Sequence, residues 1–554
     1  MVDGQPTSMI GVLLDNLERD ADRVVLRYKS EDEWLDVDWQ QIGNDAGRYA
    51  CVLAQRGVTA GERVIFVSEN RYEWLLVDLA ILLLGGIHVP VHAPLTGYQV
   101  AYQTIDSGAV LVIVSNQAQA DKLTDMDLPE GIAFLSLEPV EGSHGFETIP
   151  ELADAVDDQT VQQILEHRRA EPLESSGVAT ILYTSGTTGE PKGVMLSHHN
   201  LVSNTLAAAA NFDMVADDVH LNFLPLSHIF ARTCDYYGWL QTGNMLVLAQ
   251  SGDTIIADCV AQQPTQLNGV PYFFEKLQRV LKGRDQDQQA GSLRDLLGGK
   301  MRRCNSGGAA LAESVFDFFT EQGVHLLQGY GLTETSPVIS MSSEGHSRRG
   351  ASGRPLQGVE VAIAEDGEII TRGDHVMLGY YKNEQATAEA IRDNWFYTGD
   401  LGKLDEDGYV YITGRKKELI VTAGGKNIAP VLLESMMLED LLIEQALVIG
   451  SERKFLTALI VIGQERLRAW LAEQGLELSW PDEVCQHQQV LELYRQTIDR
   501  QLEKLSRFEQ VGKFVLLAEP FSVERGEMTA KLSLRRNVIQ DHFSEQIETM
   551  YGDS

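Results

Sequence analysis

From its start to about Arg415 the chain alternates strand-like apolar runs with helical stretches, a rhythm that few architectures satisfy. Runs at Arg63–Ser68, 110–115 and 245–249 read as strands, and 72–84 and 310–322 read as helices. Such alternation points to α/β layers with largely parallel sheets, because parallel neighbours are joined through crossover helices. From 358 to 413 the texture changes to short strands separated by turns such as Glu365-Asp366-Gly367 and Glu406-Asp407-Gly408, which predicts a small β-rich subdomain. Beyond Arg415 come strand runs at 446–450 and 457–462, polar helices at 464–473 and 482–504, and a final basic segment. That is enough for a separate small α+β domain. At 554 residues the chain exceeds one compact core, and the expected division is 1–415, containing the β-rich part, and 416–554.

Within this frame the densest chemistry lies at Tyr183-Thr-Ser-Gly-Thr-Thr-Gly-Glu-Pro-Lys192-Gly193. Glycines at 186, 189 and 193 let main-chain N–H groups turn toward an anion. Thr184, Ser185, Thr187 and Thr188 add donors, and Lys192 adds a mobile positive charge. The spacing differs from the Walker loop, which runs into a helix. Here Val178–Thr184 and 193–196 read as strands, so the loop is expected to cap a hairpin and to hold a polyphosphate.

Composition removes several function classes. Hydrophobic content of 44 % and charged content of 23 % are those of a globular protein. Cys51, Cys234, Cys259, Cys304 and Cys485 lie far apart, which argues against a disulfide framework or a zinc site and fits a reducing cytoplasm. The first residues lack a basic region followed by an apolar stretch, so no secretory signal is expected. The apolar run 74–91 is broken by Asp78, Gly85, Gly86, His88 and Pro90 and divides into a buried helix and a strand rather than a membrane span. A net charge of −35 repels nucleic acid and anionic lipid, leaving at most transient membrane contact for substrate pickup. The acidity fits either a salty habitat or merely a soluble surface. The oligomeric state stays open, with a homodimer among the possibilities.

The 183–193 segment resembles the phosphate loop of the adenylate-forming superfamily, which comprises acyl-CoA synthetases, adenylation domains of peptide synthetases and beetle luciferases. Gln328-Gly-Tyr-Gly-Leu-Thr-Glu-Thr335, Tyr397-Thr-Gly-Asp400, Gly414-Arg415-Lys-Lys-Glu418 and Gly424-Gly-Lys-Asn-Ile-Ala-Pro430 follow in the family's order. The wording is most similar to long-chain fatty acyl-CoA synthetases, a pattern that Leu224-Pro-Leu-Ser-His-Ile-Phe-Ala-Arg232 and Gly269-Val-Pro-Tyr-Phe-Phe-Glu-Lys276 also suggest. The resemblance implies a large domain and a small lid that meet across the active site, with Lys417 as the hinge.

It also implies residue roles. Thr184, Ser185, Gly186, Thr187, Thr188, Gly189 and Lys192 would hold the β- and γ-phosphates of ATP. In the segment Gln328, Gly329, Tyr330, Gly331, Leu332, Thr333, Glu334, the Tyr330 ring would lie on adenine, Thr333 on the α-phosphate and Glu334 on Mg²⁺, which as a hard ion prefers carboxylate and phosphate oxygens. Gly307, Gly308 and Ala309 would pass close to adenine. Asp400, helped by Arg415, would accept from the ribose hydroxyls. His228 would lie near the substrate carboxylate or be an ordinary core histidine. Gly269, Val270, Pro271 and Tyr272 would line an acyl channel or belong to plain core. Gly424, Gly425 and Lys426 would line the passage for the pantetheine arm of CoA.

One departure stands out. The family's lid ends in a segment whose lysine bridges the carboxylate and the α-phosphate, and the matching segment here is Gly526-Glu-Met-Thr-Ala-Lys-Leu-Ser-Leu-Arg-Arg536. Aligned without a gap, Ser533 occupies the lysine position and Lys531 stands two residues earlier, about 6.6 Å away in an extended chain. The expected activity is ATP-dependent activation of a medium- to long-chain fatty acid to acyl-AMP, followed by transfer to CoA. The alternatives are an acyl-AMP ligase with another acceptor and an adenylation-impaired nucleotide- or acyl-binding pseudoenzyme.

Overall fold

The computed structural model describes residues 6–31, 33–141, 144–184, 190–212, 214–282, 292–423, 426–523, 525–528 and 534–552, without the side chains of Asn427 and Asp482. Two large sheets carry the first part of the chain. The nine-stranded sheet runs Arg354–Pro355, Val338–Met341, His325–Gly331, Arg303–Ser306, Gln266–Gly269, Val219–Asn222, Met245–Leu248, Val24–Ser30 and Glu33–Asp38. Its strands from His325–Gly331 to Val24–Ser30 are mutually parallel, and the outer pairings are antiparallel. The eight-stranded sheet runs Gly379–Tyr380, Lys192–Ser197, Val178–Thr184, Ile87–His92, Arg63–Ser68, Leu111–Val114, Ala133–Ser136 and Glu147–Thr148. It is parallel except at the Gly379–Tyr380 end.

The apolar run 74–91 divides as its breaks imply, into the helix Tyr72–Leu83 and the strand Ile87–His92. That helix is buried along almost its whole circumference, which suits a sequence apolar on all sides. Trp74, Leu75, Val77, Leu79 and Ala80 lie in the central core with strand residues of both large sheets. No helix among the described residues is long and apolar enough to cross a membrane.

A π-helical turn, Arg232–Tyr237, ties the two sheets together. On one side Arg232 pairs with Asp78 and donates to Thr180 Oγ1 at 2.8 Å, in the eight-stranded sheet. On the other, Asp235 accepts from Asn222 Nδ2 at 2.5 Å and from Asn268 Nδ2, in the nine-stranded sheet. Such widened turns are uncommon and concentrate near functional sites. Thr233 Oγ1 also donates to the Ser336 carbonyl at 3.1 Å, so the same turn reaches the Thr333–Thr335 segment.

Residues 360–415 form a five-stranded antiparallel sheet of Glu360–Ile363, Glu368–Arg372, Ile391–Arg392, Trp395–Leu404 and Val410–Arg415, where short alternating strands are expected. The last part of the chain folds around Ile443–Ile449, Leu456–Ile462 and Val511–Leu517. Both faces of that sheet are covered. Ala446, Val448, Ala458 and Ile460 pack with Leu433, Met437, Tyr494 and Ile498, while Leu447, Leu459 and Val461 pack with Ile539, Ile547 and Met550. Two-sided burial explains why these strands read as continuous apolar runs rather than as an alternation. The helix expected over 482–504 is two helices, Asp482–Gln486 and Gln488–Leu502, because His487 between them is extended, with φ −68° and ψ 129°.

Candidate active site

Four neighbouring parallel strands end on one edge of the nine-stranded sheet, and they and the segments that follow them carry a large part of the expected site. Val219–Asn222 leads to His228, Gln266–Gly269 to Val270 and Tyr272, Arg303–Ser306 to Gly307–Ala309, and His325–Gly331 to Thr333 and Glu334. Ligands of open α/β sheets lie in the crevice beyond such carboxyl ends. The glycines there are set by close packing. A Cβ on Gly331 would lie 1.8 Å from the Pro337 carbonyl oxygen, and one on Gly307 would lie 3.1 Å from the Phe230 ring. Gly308 has φ +85°, in the left-handed region. Gln328 and Gly329 lie in the strand His325–Gly331 itself.

Tyr330 is nearly buried and donates from Oη to Asp400 Oδ2 at 2.9 Å, while Arg415 Nε lies 2.9 Å from Asp400 Oδ1. Asp400 and Arg415 face each other across the Trp395–Leu404 and Val410–Arg415 pairing. The strand Trp395–Leu404 runs through Asp400, beside a bulge at Leu401 and Gly402. Burial pushes the Asp400 carboxyl up, and the Arg415 guanidinium and Tyr330 hydroxyl oppose that shift. Burial, reinforced by Asp400, holds the Tyr330 phenol protonated as the donor. Three residues from three segments thus form one fixed polar wall, with the Arg415 side chain half exposed toward solvent.

The hairpin has its expected form. Val178–Thr184 pairs antiparallel with Lys192–Ser197, and Thr184 stands opposite Lys192. Ser185, Gly186, Thr187, Thr188 and Gly189 lie outside the described residues. Tyr183 at the foot donates to Asp106 Oδ2 at 2.5 Å, and Tyr102 donates to the Pro191 carbonyl at 3.3 Å, which fixes both ends of the loop from the Gly97–Ser107 helix. Lys192 Nζ sits 5.0 Å from the centroid of the Tyr380 ring, and Tyr380 Oη donates to Glu334 Oε1 at 3.0 Å. Tyr380 is a site residue that the sequence reading lacks. Its position depends on a long-range strand pairing, and the local pattern Gly379-Tyr380-Tyr381 carries no sign of it.

His228 caps the short Ile229–Ala231 helix, its Nδ1 accepting from Phe230 N at 3.1 Å. An accepting Nδ1 puts the neutral ring's proton on Nε2. The ring stacks on His92 at 6.1 Å and 14°, and His92 Nδ1 lies 2.7 Å from Ser227 Oγ. Gly269 packs against the core ring of Phe274, where a Cβ would lie 2.8 Å away. The arrangement can hold a nucleotide against Tyr330 and Asp400, polyphosphate toward Lys192, and a cation at Glu334, whose carboxylate forms no ion pair among the described residues.

On the far side of Arg415, Lys416 bonds to Asp366 Oδ2 at 2.5 Å and to Glu368 Oε2 at 3.0 Å, and Glu368 accepts from Gly399 N at 2.8 Å. Lys417, in the Lys416–Glu418 turn, is exposed. Lys426 lies over the Phe508 ring at 5.5 Å, and its backbone pairs with Thr422. Gly424 and Gly425 lie outside the described residues, as do Lys531 and Ser533. The flanks of the last segment are fixed, because Met528 bridges Leu534 and Arg535 N donates to the Glu527 carbonyl at 2.7 Å.

The AMP-binding enzyme family matches residues 13–381, and the AMP-binding enzyme C-terminal domain matches 417–554. The chain belongs to the AMP-binding family of adenylate-forming acyl-CoA ligases. It is 31 % identical to long-chain-fatty-acid–CoA ligase FadD15 of Mycobacterium tuberculosis, over 99 % of this chain and 98 % of that one. It is 28 % identical to the peroxisomal long chain acyl-CoA synthetase 7 of Arabidopsis thaliana, over 98 % and 87 %. Among solved structures, ATP-bound MatB of Rhodopseudomonas palustris superposes with a TM-score of 0.75 at 26 % identity, over 97 % and 99 %. The anthranilate CoA ligase AuaEII, in complex with anthranoyl-AMP, shares the fold at a TM-score of 0.78 and 20 % identity, over 97 % of each chain. This AMP-binding enzyme thus has the family's large first domain and small last one.

Proposed function

We propose that this AMP-binding enzyme is a fatty acid–CoA ligase for medium- to long-chain acids, with ATP as activator and CoA as acceptor. The observation that carries the reading is the Tyr330–Asp400–Arg415 wall at the strand ends, with Lys192 and Glu334 beside it. The substrate class is supported by relatives named long-chain-fatty-acid–CoA ligases over nearly the whole chain. Asp400 accepts from the ribose hydroxyls, Tyr330 and Gly307–Ala309 enclose adenine, and Gln328, Gly329 and Gly331 shape that wall. Thr184, Ser185, Gly186, Thr187, Thr188, Gly189 and Lys192 hold the β- and γ-phosphates. Glu334 is suited to Mg²⁺, being a carboxylate that meets the same Tyr380 as Lys192 and forms no ion pair among the described residues, and the ion would supply positive charge to the phosphates.

In the first half-reaction a carboxylate oxygen of the fatty acid attacks the α-phosphorus, the bond to the β-phosphate oxygen breaks, and pyrophosphate leaves. Thr333 donates to the α-phosphate, and Lys531 or Ser533 presents the last segment to it; His228 stands near the acid. In the second, the CoA sulfur attacks the acyl carbon and the bond to AMP breaks, the thiol giving its proton to solvent. A rotation of 416–554 about Lys417 would exchange the last segment for Gly424, Gly425 and Lys426 between the two steps. The deciding experiment is fatty-acid-dependent pyrophosphate release with and without CoA. Release that yields acyl-CoA is expected. Release without a CoA thioester would replace CoA by another acceptor, and ATP binding without release would make the protein a nucleotide-binding one.

A further inference from the structure

Tyr380 touches both charged ends of the candidate phosphate site. The two-residue strand Gly379–Tyr380 pairs with Lys192–Ser197, so that Tyr380 stands opposite Val194 and diagonal to Lys192. Diagonal neighbours on a sheet are within reach of long side chains. The strap is fixed by its backbone: Tyr381 N donates to the Gly193 carbonyl at 2.7 Å, Leu378 N to the Met195 carbonyl at 3.0 Å, and Met377 N to the Glu334 carbonyl at 2.9 Å. Tyr380 N is held by Thr387 Oγ1 at 2.9 Å. The ring therefore has one place to be. Its face receives the Lys192 ammonium and its hydroxyl donates to Glu334.

Lys192 and Glu334 meet the same ring, and neither enters an ion pair among the described residues. A direct pair would neutralise both groups, taking the ammonium from the phosphates and the carboxylate from a cation. Tyr380 offers each charge a separate, weaker partner: the negative π face for the ammonium and an O–H donor for the carboxylate.

We propose that Tyr380 is a positioning residue which keeps Lys192 and Glu334 apart and aims the Glu334 carboxylate at the metal of a metal–ATP complex. This rests on the ATP-dependent reading above. Hydrogen-bond partners of metal-ligating groups commonly change metal affinity by about 10–100-fold when removed. Tyr380→Phe keeps the ring between the charges and removes only the donor. Tyr380→Ala removes both, so that Lys192 can close on Glu334.

The test is calorimetric binding to the full-length protein of AMP, of ATP with EDTA, and of ATP at a series of Mg²⁺ concentrations, alongside thermal unfolding. Tyr380→Phe is expected to bind AMP as the wild type does and to need about 10–100-fold more Mg²⁺ for the same ATP affinity. Tyr380→Ala should in addition weaken metal-free ATP, which relies on Lys192. Glu334→Gln combined with Tyr380→Ala should restore metal-free ATP binding, because Lys192 then has no carboxylate to close on. An unchanged Mg²⁺ dependence in Tyr380→Phe would overturn the proposal. So would an equal loss on AMP, which has no β- or γ-phosphate and reports only on the adenosine wall. A wild-type protein that binds AMP but not ATP would instead sink the ATP-dependent reading itself and the proposal with it.

Discussion

Replacing Arg232 by Met tests a fully buried charge pair in the fold. Arg232 and Asp78 are both fully buried, and the guanidinium lies near the rings of Trp74 and Tyr237, 5.8 and 5.3 Å from their centroids. Asp78 also accepts from His88 Nδ1 at 2.6 Å and from Tyr237 Oη at 3.0 Å. Burial alone pushes the Asp78 carboxyl up, but the guanidinium and the histidine bring it down to about 2. The wild-type ionised carboxylate therefore contributes stability above its unfolded value of about 3.9 and loses it as pH falls through the folded value. Met removes the cation and leaves the burial, so the sign reverses and the folded carboxyl lies above the unfolded one. Breaking a buried pair in this way costs about 3–5 kcal/mol, a large share of the ~5–15 kcal/mol that holds a typical domain. The deficit should be greatest near pH 7–8 and shrink toward pH 4, where the stranded carboxyl takes up a proton. Urea unfolding followed by the fluorescence of Trp39, Trp74 and Trp239, all in the same core, measures it. The double variant Arg232→Met with Asp78→Leu should recover most of the loss, because an apolar pair can replace a buried ionic one at little cost. A deficit under ~1 kcal/mol at pH 7, or a double variant no better than the single one, would refute the reasoning.

The buried imidazoles of His88, His198 and His375 are each held down to about 4, in every case chiefly by burial. Their unfolded rings bind protons at higher pH, so stability should fall as pH drops from about 6.5 to 4, by at most ~4 kcal/mol per unit, and His375→Gln should flatten the urea-midpoint profile. Gly331→Ala must displace the Pro337 carbonyl, so it should cost about 1–3 kcal/mol and weaken AMP binding by calorimetry; native-like values for both would contradict the packing. For the last segment, Lys531→Ala should depress acyl-AMP formation while sparing thioester formation from supplied acyl-AMP if Lys531 bridges the phosphate. If Ser533 faces it instead, Ser533→Lys should raise adenylation, and measuring both variants in both half-reactions separates the two.

Local signals carried much of the fold. The strand at Arg63–Ser68, the division of 74–91 and the hairpin at Val178–Thr184 follow from apolar runs and their Gly and Pro breaks. The break at His487 has no such mark, since no glycine or proline stands there. Motif order brought Tyr330, Asp400 and Arg415 onto one site, although the strand pairing that sets Asp400 opposite Arg415 exists only in the folded sheet. Tyr380 and the buried charges Arg232 and Asp235 were not legible. Their partners lie across sheets, and a charge in a helical stretch ordinarily reads as a solvated face.

The turn Arg232–Tyr237 plants a cation among the residues of one sheet and an anion among those of the other. One short turn holds both, so drawing it out of either sheet strips a buried charge of its partners there and pulls on its contacts in the other. Amide protons of Ile87–His92 and Gln266–Gly269, far apart in sequence, should therefore exchange with deuterium through one common opening event. Those of Leu456–Ile462, in a core with no part in that arrangement, can exchange through an event of their own.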